Sequence, residues 1–319
     1  IKKSRGSPKP WSREVAMQEL TPETITQAVL DQMASTPNSR LKQIMASAVK
    51  HLHAFAKDVN LTPAEWIKGI AFMTAVGKIC TPARQEFILL SDTLGLSALV
   101  NGLHDETAME EGTNTSLLGP FYRETTPHLA AGSQIAKHAD PDTEVILYGH
   151  VTDVNGKPLS GATVSLWQTS ASGLYDIQED PTSVDYRGIF TTDANGLFLV
   201  RTVKPLGYSI PMDGPVGEMI TAQRRHGMRP AHIHFLVGAP GYRELVTALY
   251  LRDDPHLADD VVFGSSGDLA VEINPKDPDC PIKGMPSIRF DMRLSRETAA
   301  DRAGGRVGAD PAAILKQPA

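Results

Sequence analysis

The stretch Arg229-Pro-Ala-His-Ile-His-Phe235 decides the fold of the region around it, because it places two imidazoles two residues apart inside an apolar run. The proline disfavours a helical conformation at the residue before it and suits the beginning of a strand. Side chains alternate along a strand, so His232 and His234 share one face while Ile233 and Phe235 point into the opposite layer. We therefore predict a strand that packs one face into a core and offers two imidazoles to one metal ion on the other.

Composition places this stretch in a globular protein. The chain has 319 residues, of which 41% are hydrophobic, and 31 Lys and Arg stand against 37 Asp and Glu. No basic cluster with interleaved aromatics is present, so we do not expect nucleic acid as a partner. Two cysteines, Cys80 and Cys280, form no disulfide framework and are typical of a reduced cytoplasmic protein. No apolar run reaches the roughly 18 residues of a membrane span, and we expect neither signal peptide nor anchor.

Four regions follow from the change of pattern along the chain. We expect a flexible arm at 1–20, a helical region at 21–110, a catalytic β domain at 111–295 and a C-terminal tail at 296–319. Capping signals and helical periodicity predict helices at about 22–34, 38–58, 63–79 and 83–103. An apolar stripe in the second helix is interpreted as core packing, and its members are Leu41, Ile44, Met45, Val49 and Leu52.

The region after Gly112 changes to short strands with turn signals. Asn155-Gly156 and Asn195-Gly196 each lie between β-rich runs, which is the strongest short-range hairpin signal. Strands are predicted at about 144–154, 162–168, 188–193, 197–203, 231–238, 245–252, 269–273 and 287–293. The fold class expected is α+β, with N-terminal helices followed by a mostly antiparallel β-sandwich.

Longer motifs give the two histidines their context. Tyr175 lies in Ser172-Gly-Leu-Tyr-Asp-Ile-Gln178, and Tyr208 lies in Pro205-Leu-Gly-Tyr-Ser-Ile-Pro211. Leu118-Gly-Pro-Phe-Tyr122 and Gly161-Ala-Thr-Val-Ser-Leu-Trp-Gln168 precede them. Together with the histidine strand, in this order and spacing, they make the chain resemble the intradiol ring-cleaving dioxygenases from about residue 20 to residue 294.

The resemblance implies one non-haem Fe(III) per subunit, with Tyr175, Tyr208, His232 and His234 as protein ligands beside a hydroxide. Imidazole and phenolate form a hard, anionic set that suits ferric iron better than zinc or copper(I). A phenol has a pKa of about 10, so tyrosinates need the charge of the metal. The resemblance also implies that Tyr208 leaves the metal when substrate binds, and that Arg229 stabilises developing negative charge. A surface arginine that caps the strand is the alternative for Arg229.

By resemblance, the substrate pocket is lined by the loop residues Leu118, Gly119, Pro120 and Phe121, and by Ile210, Pro211 and Arg229. The stretch Glu86-Phe-Ile-Leu-Leu-Ser-Asp-Thr-Leu-Gly95 resembles the hydroxyquinol branch, in which a helix presents Leu89 and Asp92 to the pocket. A carboxylate there could accept a hydrogen bond from a third hydroxyl, so hydroxyquinol (benzene-1,2,4-triol) is the expected substrate. Asp92 as a turn cap or an arginine partner is the alternative. Ala248 stands where catechol-preferring members carry an amide.

Catechol-type members pair through their N-terminal helices around a lipid-filled tunnel, so the resemblance also implies a homodimer that could hold lipid. A catechol or chlorocatechol dioxygenase is the alternative within the family. A non-catalytic, transthyretin-like β-sandwich module is the alternative outside it, since Gly156-Lys-Pro-Leu-Ser-Gly-Ala-Thr-Val164 also occurs in such modules. The tyrosine partners disfavour extradiol chemistry, and the helical N-terminal region disfavours the protocatechuate branch.

Overall fold

The computed structural model describes residues 20–81, 84–105, 112–137, 139–180 and 182–297. The chain divides into two compact units, Ile1–Ala71 and Phe72–Ala319. The predicted arm, apart from residue 20, and the predicted tail beyond residue 297 lie outside the described residues.

Helices occupy the N-terminal part of the chain, as the sequence predicted. They are α1 (Ile25–Gln32), α2 (Ser39–Asp58), α3 (Pro63–Ile79), α4 (Glu86–Thr93) and α5 (Leu96–Asp105). The single helix predicted at 83–103 is wrong, because the chain breaks it into α4 and α5 at Gly95. Gly95 has φ +74°, a left-handed conformation that ends a helix and that glycine adopts without a steric penalty.

The apolar stripe of α2 does not form a core with the other described residues. Leu41, Ile44, Met45 and Leu52 are between 43% and 64% exposed. No residue of α1 or α2 is buried, although both helices are fully described. The interpretation as core packing was therefore wrong, because two adjacent helices alone cannot cover an apolar stripe of this length.

A β-sandwich forms the centre of the second unit. Its strands and two short helices are β1 (Glu144–Asp153), β2 (Thr163–Gln168), α6 (Asp176–Glu179), β3 (Arg187–Thr191), β4 (Leu197–Val203), β5 (Tyr208–Ser209), α7 (Pro215–Ala222), β6 (Met228–Arg229), β7 (His232–Gly238), β8 (Leu245–Leu251), β9 (Ala270–Val271), β10 (Ser287–Arg289) and β11 (Met292–Leu294). One sheet has the order β3-β2-β7-β8-β9, and in the other β1 pairs with β4, β10 and β11. Most pairings are antiparallel, which confirms the predicted fold class.

The core lies between the two sheets. Ile233 and Phe235 of β7 are fully buried in it, and the Phe235 ring meets Phe198 of β4 edge to face, with centroids 6.1 Å apart. Since alternate side chains of β7 point to opposite faces, this packing directs His232 and His234 away from the core. The alternation predicted for this strand is confirmed.

Two local predictions were wrong. Asn195-Gly196 does form a tight turn, but it joins β3 to β4, which belong to different sheets, rather than closing a hairpin. An Asn-Gly pair specifies a turn and not the sheet that each flank enters. Helix α7 was missed. Pro215 at its first turn was the available signal.

Within the described ranges, no single helix is long and apolar enough to cross a membrane. Glu86–Thr93 and Leu96–Leu103 reach the required length and composition only as a pair, and they bend by 74° at the break between them.

Candidate active site

The two imidazoles of β7 converge on one point. His232 Nδ1 lies 2.6 Å from the carbonyl oxygen of Pro230, and this nitrogen must carry the proton because a carbonyl only accepts. The lone pair of His232 is therefore on Nε2. That atom lies 3.1 Å from Nε2 of His234. Both rings are buried, with 1% of each residue exposed.

Tyr175 brings a phenol to the same point. It precedes α6, its side chain is fully buried, and its hydroxyl lies 3.3 Å from His232 Nε2. The Phe121 ring stacks on the Tyr175 ring at 4.2 Å, so the loop at residues 118–122 packs directly against this group.

A buried ion pair between Arg187 and Asp176 fixes the position of Tyr175 relative to Phe121. Arg187 of β3 donates to both carboxylate oxygens of Asp176, the residue after Tyr175. The same guanidinium donates to the Phe121 carbonyl over 3.1 Å. Arg187 therefore links the segment that carries the phenol to the loop that covers it.

Tyr208 and Arg229 lie opposite each other in the short ribbon of β5 and β6. Arg229 Nη1 donates to the Tyr208 hydroxyl over 3.4 Å and lies 3.2 Å from His232 Nε2. The arginine is only 3% exposed, so it does not cap the strand at the surface. Its cation is next to the histidine and phenol groups inside the protein.

Asp260 and Tyr250 anchor this arginine, and neither was found by sequence reasoning. Asp260 accepts from Nε of Arg229 at 3.2 Å and from Nη2 at 3.3 Å. Tyr250 accepts from Nη2 at 3.4 Å and contacts the Ser116 hydroxyl at 2.9 Å. Tyr250 lies opposite His232 in the β7–β8 register, so a strand pairing would have revealed it. Asp260 is in a loop 31 residues after Arg229, and no local pattern marks it.

Burial controls the protonation states of these groups. Burial lowers the pKa of His232 and His234 well below the usual range, and the nearby Arg229 charge acts in the same direction. Burial raises the pKa of Tyr175 well above its usual value. Burial alone would lower the pKa of Arg229, but Asp260, Tyr208 and Tyr250 together outweigh this effect and raise it well above its usual value. The site therefore presents neutral imidazoles and a phenol that ionises only beside a strong cation.

The donor set fits a hard, oxygen-seeking metal ion. Two ligand atoms bonded to one metal at about 2.1 Å, with an angle of about 95° between the bonds, are about 3.1 Å apart. The Nε2 atoms of His232 and His234 have this separation, and the Tyr175 hydroxyl lies 3.3 Å from the first of them. Imidazole with phenolate oxygen suits ferric iron, whose charge would stabilise the ionised phenol.

The loop at residues 118–122 and strand β2 close one side. Gly119 has φ +72°, and a Cβ built there would lie 3.4 Å from the His234 ring. Trp167 of β2 stacks on that ring at 5.0 Å. Leu118 and Pro120 are half-buried on either side of the glycine. These contacts fix the orientation of His234.

Helix α4 carries the two residues predicted to face the substrate, Leu89 and Asp92. Asp92 is 6% exposed, and burial raises its pKa, whereas the charge of Arg229 acts to lower it. Leu89 packs against an apolar cluster that includes Ile210, while Pro211 is half-buried beyond it. Ala248 lies opposite His234 in the β7–β8 register and is fully buried. The structure thus brings Tyr175, Tyr208, Arg229, His232 and His234 together around one buried centre, whereas Leu89 and Ile210 belong to a neighbouring apolar cluster.

Comparisons with known proteins agree with this architecture. A family model described as "Dioxygenase" matches residues 117–296, and one described as "Catechol dioxygenase N terminus" matches residues 38–112.

Three similar proteins that match over most of their own length are named as dioxygenases. The chain is 47% identical over 249 residues to a 6-chlorohydroxyquinol 1,2-dioxygenase from Cupriavidus pinatubonensis, covering 78% of this chain and 90% of the relative. It is 40% identical over 267 residues to a hydroxyquinol 1,2-dioxygenase from Corynebacterium glutamicum, covering 83% and 88%. A solved hydroxyquinol 1,2-dioxygenase from Pseudomonas putida superposes with TM-score 0.80 and 41% identity, covering 86% and 99% of the two chains.

Proposed function

Since the chain belongs to the intradiol dioxygenase family, we propose that it cleaves hydroxyquinol with O2 between the two adjacent hydroxyl-bearing carbons, using one ferric ion per subunit. The product would be 3-hydroxy-cis,cis-muconate or its tautomer maleylacetate. The observation that carries the proposal is the convergence of two imidazole nitrogens and a phenol within 3.3 Å, beside a buried arginine.

Tyr175, Tyr208, His232 and His234 would hold the iron. When bound, ferric iron makes a chelated catecholic ring electron-rich enough to react with O2. A catecholic substrate would lose two protons on binding to the iron, and the oxygen of Tyr208 would be suited to take one of them. Arg229 Nη1 lies 3.4 Å from that oxygen and can keep hydrogen-bonding it.

Arg229 supplies a fixed positive charge beside the reacting ring. Asp260 and Tyr250 hold its guanidinium, and burial keeps water away from it. A preorganised cation in a water-excluded site stabilises negative charge that develops on substrate and oxygen more strongly than water would. We therefore assign Arg229 a catalytic role in charge stabilisation.

Asp92 supports hydroxyquinol as the preferred substrate. It is a buried carboxylate that accepts a hydrogen bond from Ser97 and lies within electrostatic range of Arg229. The third hydroxyl of hydroxyquinol could donate to it. Catechol would add no partner to the Ser97 hydrogen bond and would leave the remaining acceptor capacity of this buried carboxylate unused, at a cost of roughly 1–3 kcal/mol, or about ten- to a hundredfold in specificity. Leu89 and Ile210, with Pro211, Leu118, Gly119, Pro120 and Phe121, would line the remaining walls.

We further propose that the protein is a cytoplasmic homodimer whose subunits pair through the helical region at 21–110. The purified dimer should also be analysed for bound lipid. The exposed apolar stripe of α2 supports this assembly, because an apolar face of that size is typically covered by a partner. Cys80 and Cys280 are free thiols, which fits a reducing compartment. Light scattering that gives a monomer at micromolar concentration would contradict the dimer.

The test of the activity is oxygen uptake with hydroxyquinol, catechol, chlorocatechols and protocatechuate, combined with iron analysis and a visible spectrum. We expect one iron per chain, a broad tyrosinate-to-iron band and the highest kcat/KM for hydroxyquinol. The Asp92→Ala variant should lose most of the preference over catechol. A colourless, iron-free protein would instead support a binding module, and a wild type that prefers catechol would refute the proposed substrate.

A further inference from the structure

Arg225 joins two segments that flank the candidate active site. Its Nη1 donates to the Thr93 carbonyl and its Nη2 to the Val261 carbonyl, each over 2.9 Å. Its guanidinium also lies over the Phe263 ring, 5.3 Å from the centroid. These four residues are called the Arg225 clamp below. The clamp ties the end of α4 to the loop that follows β8.

Each carbonyl in the Arg225 clamp belongs to the residue that directly follows an aspartate near the candidate active site. Thr93 follows Asp92, and Val261 follows Asp260. Asp260 pairs with Arg229, and the charges of both residues act on Asp92. The clamp therefore controls the distance between the two backbone segments that carry these carboxylates.

The N-terminal end of helix α4 is held by helix α7, which precedes Arg225 in the chain. The Glu86 carboxylate accepts from the Val216 N–H of α7 over 3.2 Å. At the α4–α5 corner, a Cβ on Gly95 would lie 3.4 Å from the Phe263 ring, so the corner packs closely on the clamp. Because both ends of α4 are held, the helix has little freedom to move Asp92 toward or away from the candidate active site.

A second link lies beside the clamp. His226 and His256 both hydrogen-bond Asp259, at 3.0 and 3.1 Å. The Met228 N–H donates to Nδ1 of His226, so in the neutral ring Nε2 carries the proton and donates to Asp259. These hydrogen bonds strengthen the connection between the residues before β6 and the loop after β8.

We propose that Arg225 is a positioning residue that sets the preference between catecholic substrates that differ by a third hydroxyl. The inference rests on the proposed function, because it requires Asp92 to recognise that hydroxyl. A hydrogen bond weakens steeply as its angle and length depart from the optimum, so a small shift of α4 changes recognition more than it changes ring chemistry. The planar fork of arginine reaches the two carbonyls from two separate nitrogens, whereas the three N–H donors of a lysine ammonium all lie on one atom and cannot reproduce that span.

The experiment compares Arg225→Lys with Arg224→Lys in the iron-loaded enzyme. The two changes are chemically identical and adjacent, but Arg224 is exposed and takes no part in the clamp. We expect Arg225→Lys to lower the hydroxyquinol-to-catechol ratio of kcat/KM by about three- to tenfold, the fold-change that corresponds to the net worth of one hydrogen bond. The loss should appear mainly as a higher KM for hydroxyquinol, with kcat for catechol retained. Arg224→Lys should keep the wild-type ratio.

An unchanged ratio in Arg225→Lys, or equal losses on both substrates together with a lower melting temperature, would overturn the inference. If Arg225→Lys does not fold, Phe263→Leu decides, since it removes the stacked ring from an exposed position. A lower ratio supports the clamp, and an unchanged ratio overturns it. A wild type that prefers catechol refutes the proposed substrate and the role of Arg225 together, whereas a retained hydroxyquinol preference in the variants refutes the clamp alone.

Discussion

Replacing Asp260 by asparagine should destabilise the protein and impair catalysis through Arg229. The two side chains form a buried ion pair with contacts of 3.2 and 3.3 Å, and the residues are 3% and 4% exposed. Asparagine keeps the shape but leaves a buried cation without a counter-charge. Breaking one partner of a buried pair costs about 3–5 kcal/mol, because the remaining charge is desolvated and uncompensated.

The neighbouring residue provides a matched control. Asp259 carries the same carboxylate one position earlier, but it is exposed and bonds to two half-exposed histidines. Its asparagine variant should therefore change stability far less. For a unit of this size, the Asp260→Asn loss corresponds to a decrease of about 10 °C in Tm.

Urea unfolding of the iron-free protein measures the free energies without the contribution of bound metal. The double variant Arg229→Met with Asp260→Leu removes both charges. Its loss of stability should be smaller than the summed losses of the single variants Arg229→Met and Asp260→Leu. The kcat of Asp260→Asn should decrease by about a hundredfold, since Arg229 loses its fixed orientation. Equal stability of Asp259→Asn and Asp260→Asn, or full additivity in the cycle, would refute the reasoning.

Three further predictions concern single side chains. Tyr208→Phe should retain iron but lose most turnover, because the oxygen that takes the second substrate proton is gone; wild-type oxygen uptake at equal iron content would contradict this. Gly119→Ala forces an alanine into φ +72° beside the His234 ring, so it should cost about 1–2 kcal/mol and speed iron loss to a chelator, and unchanged iron retention would argue against that contact. Burial raises the pKa of Asp92, so this carboxyl costs stability as pH rises from the ordinary Asp value of about 3.9 through the folded value, and Asp92→Asn should stabilise the protein more at neutral pH than at about pH 4; urea titrations at both values test the sign.

Local patterns determined a large part of this fold. The alternation of histidines with Ile233 and Phe235 correctly gave the two faces of β7, because the period of a strand is a local property. Capping signals correctly gave the first three helices. Capping signals did not predict the break between α4 and α5. That break depends on the left-handed conformation of one residue, Gly95.

The sequence by itself therefore determined the element types, the faces of the histidine strand and the family, since these follow from short-range periodicity and from long motifs. Only the tertiary structure decided that Asp260 and Tyr250 hold Arg229, that Arg187 links Tyr175 to Phe121, and that the stripe of α2 is exposed. Ion pairs and hydrogen bonds between residues 11 to 66 positions apart leave no period in the chain. They exist because the sandwich brings distant loops to the same end of β7, and burial then makes each unpaired charge or polar group costly.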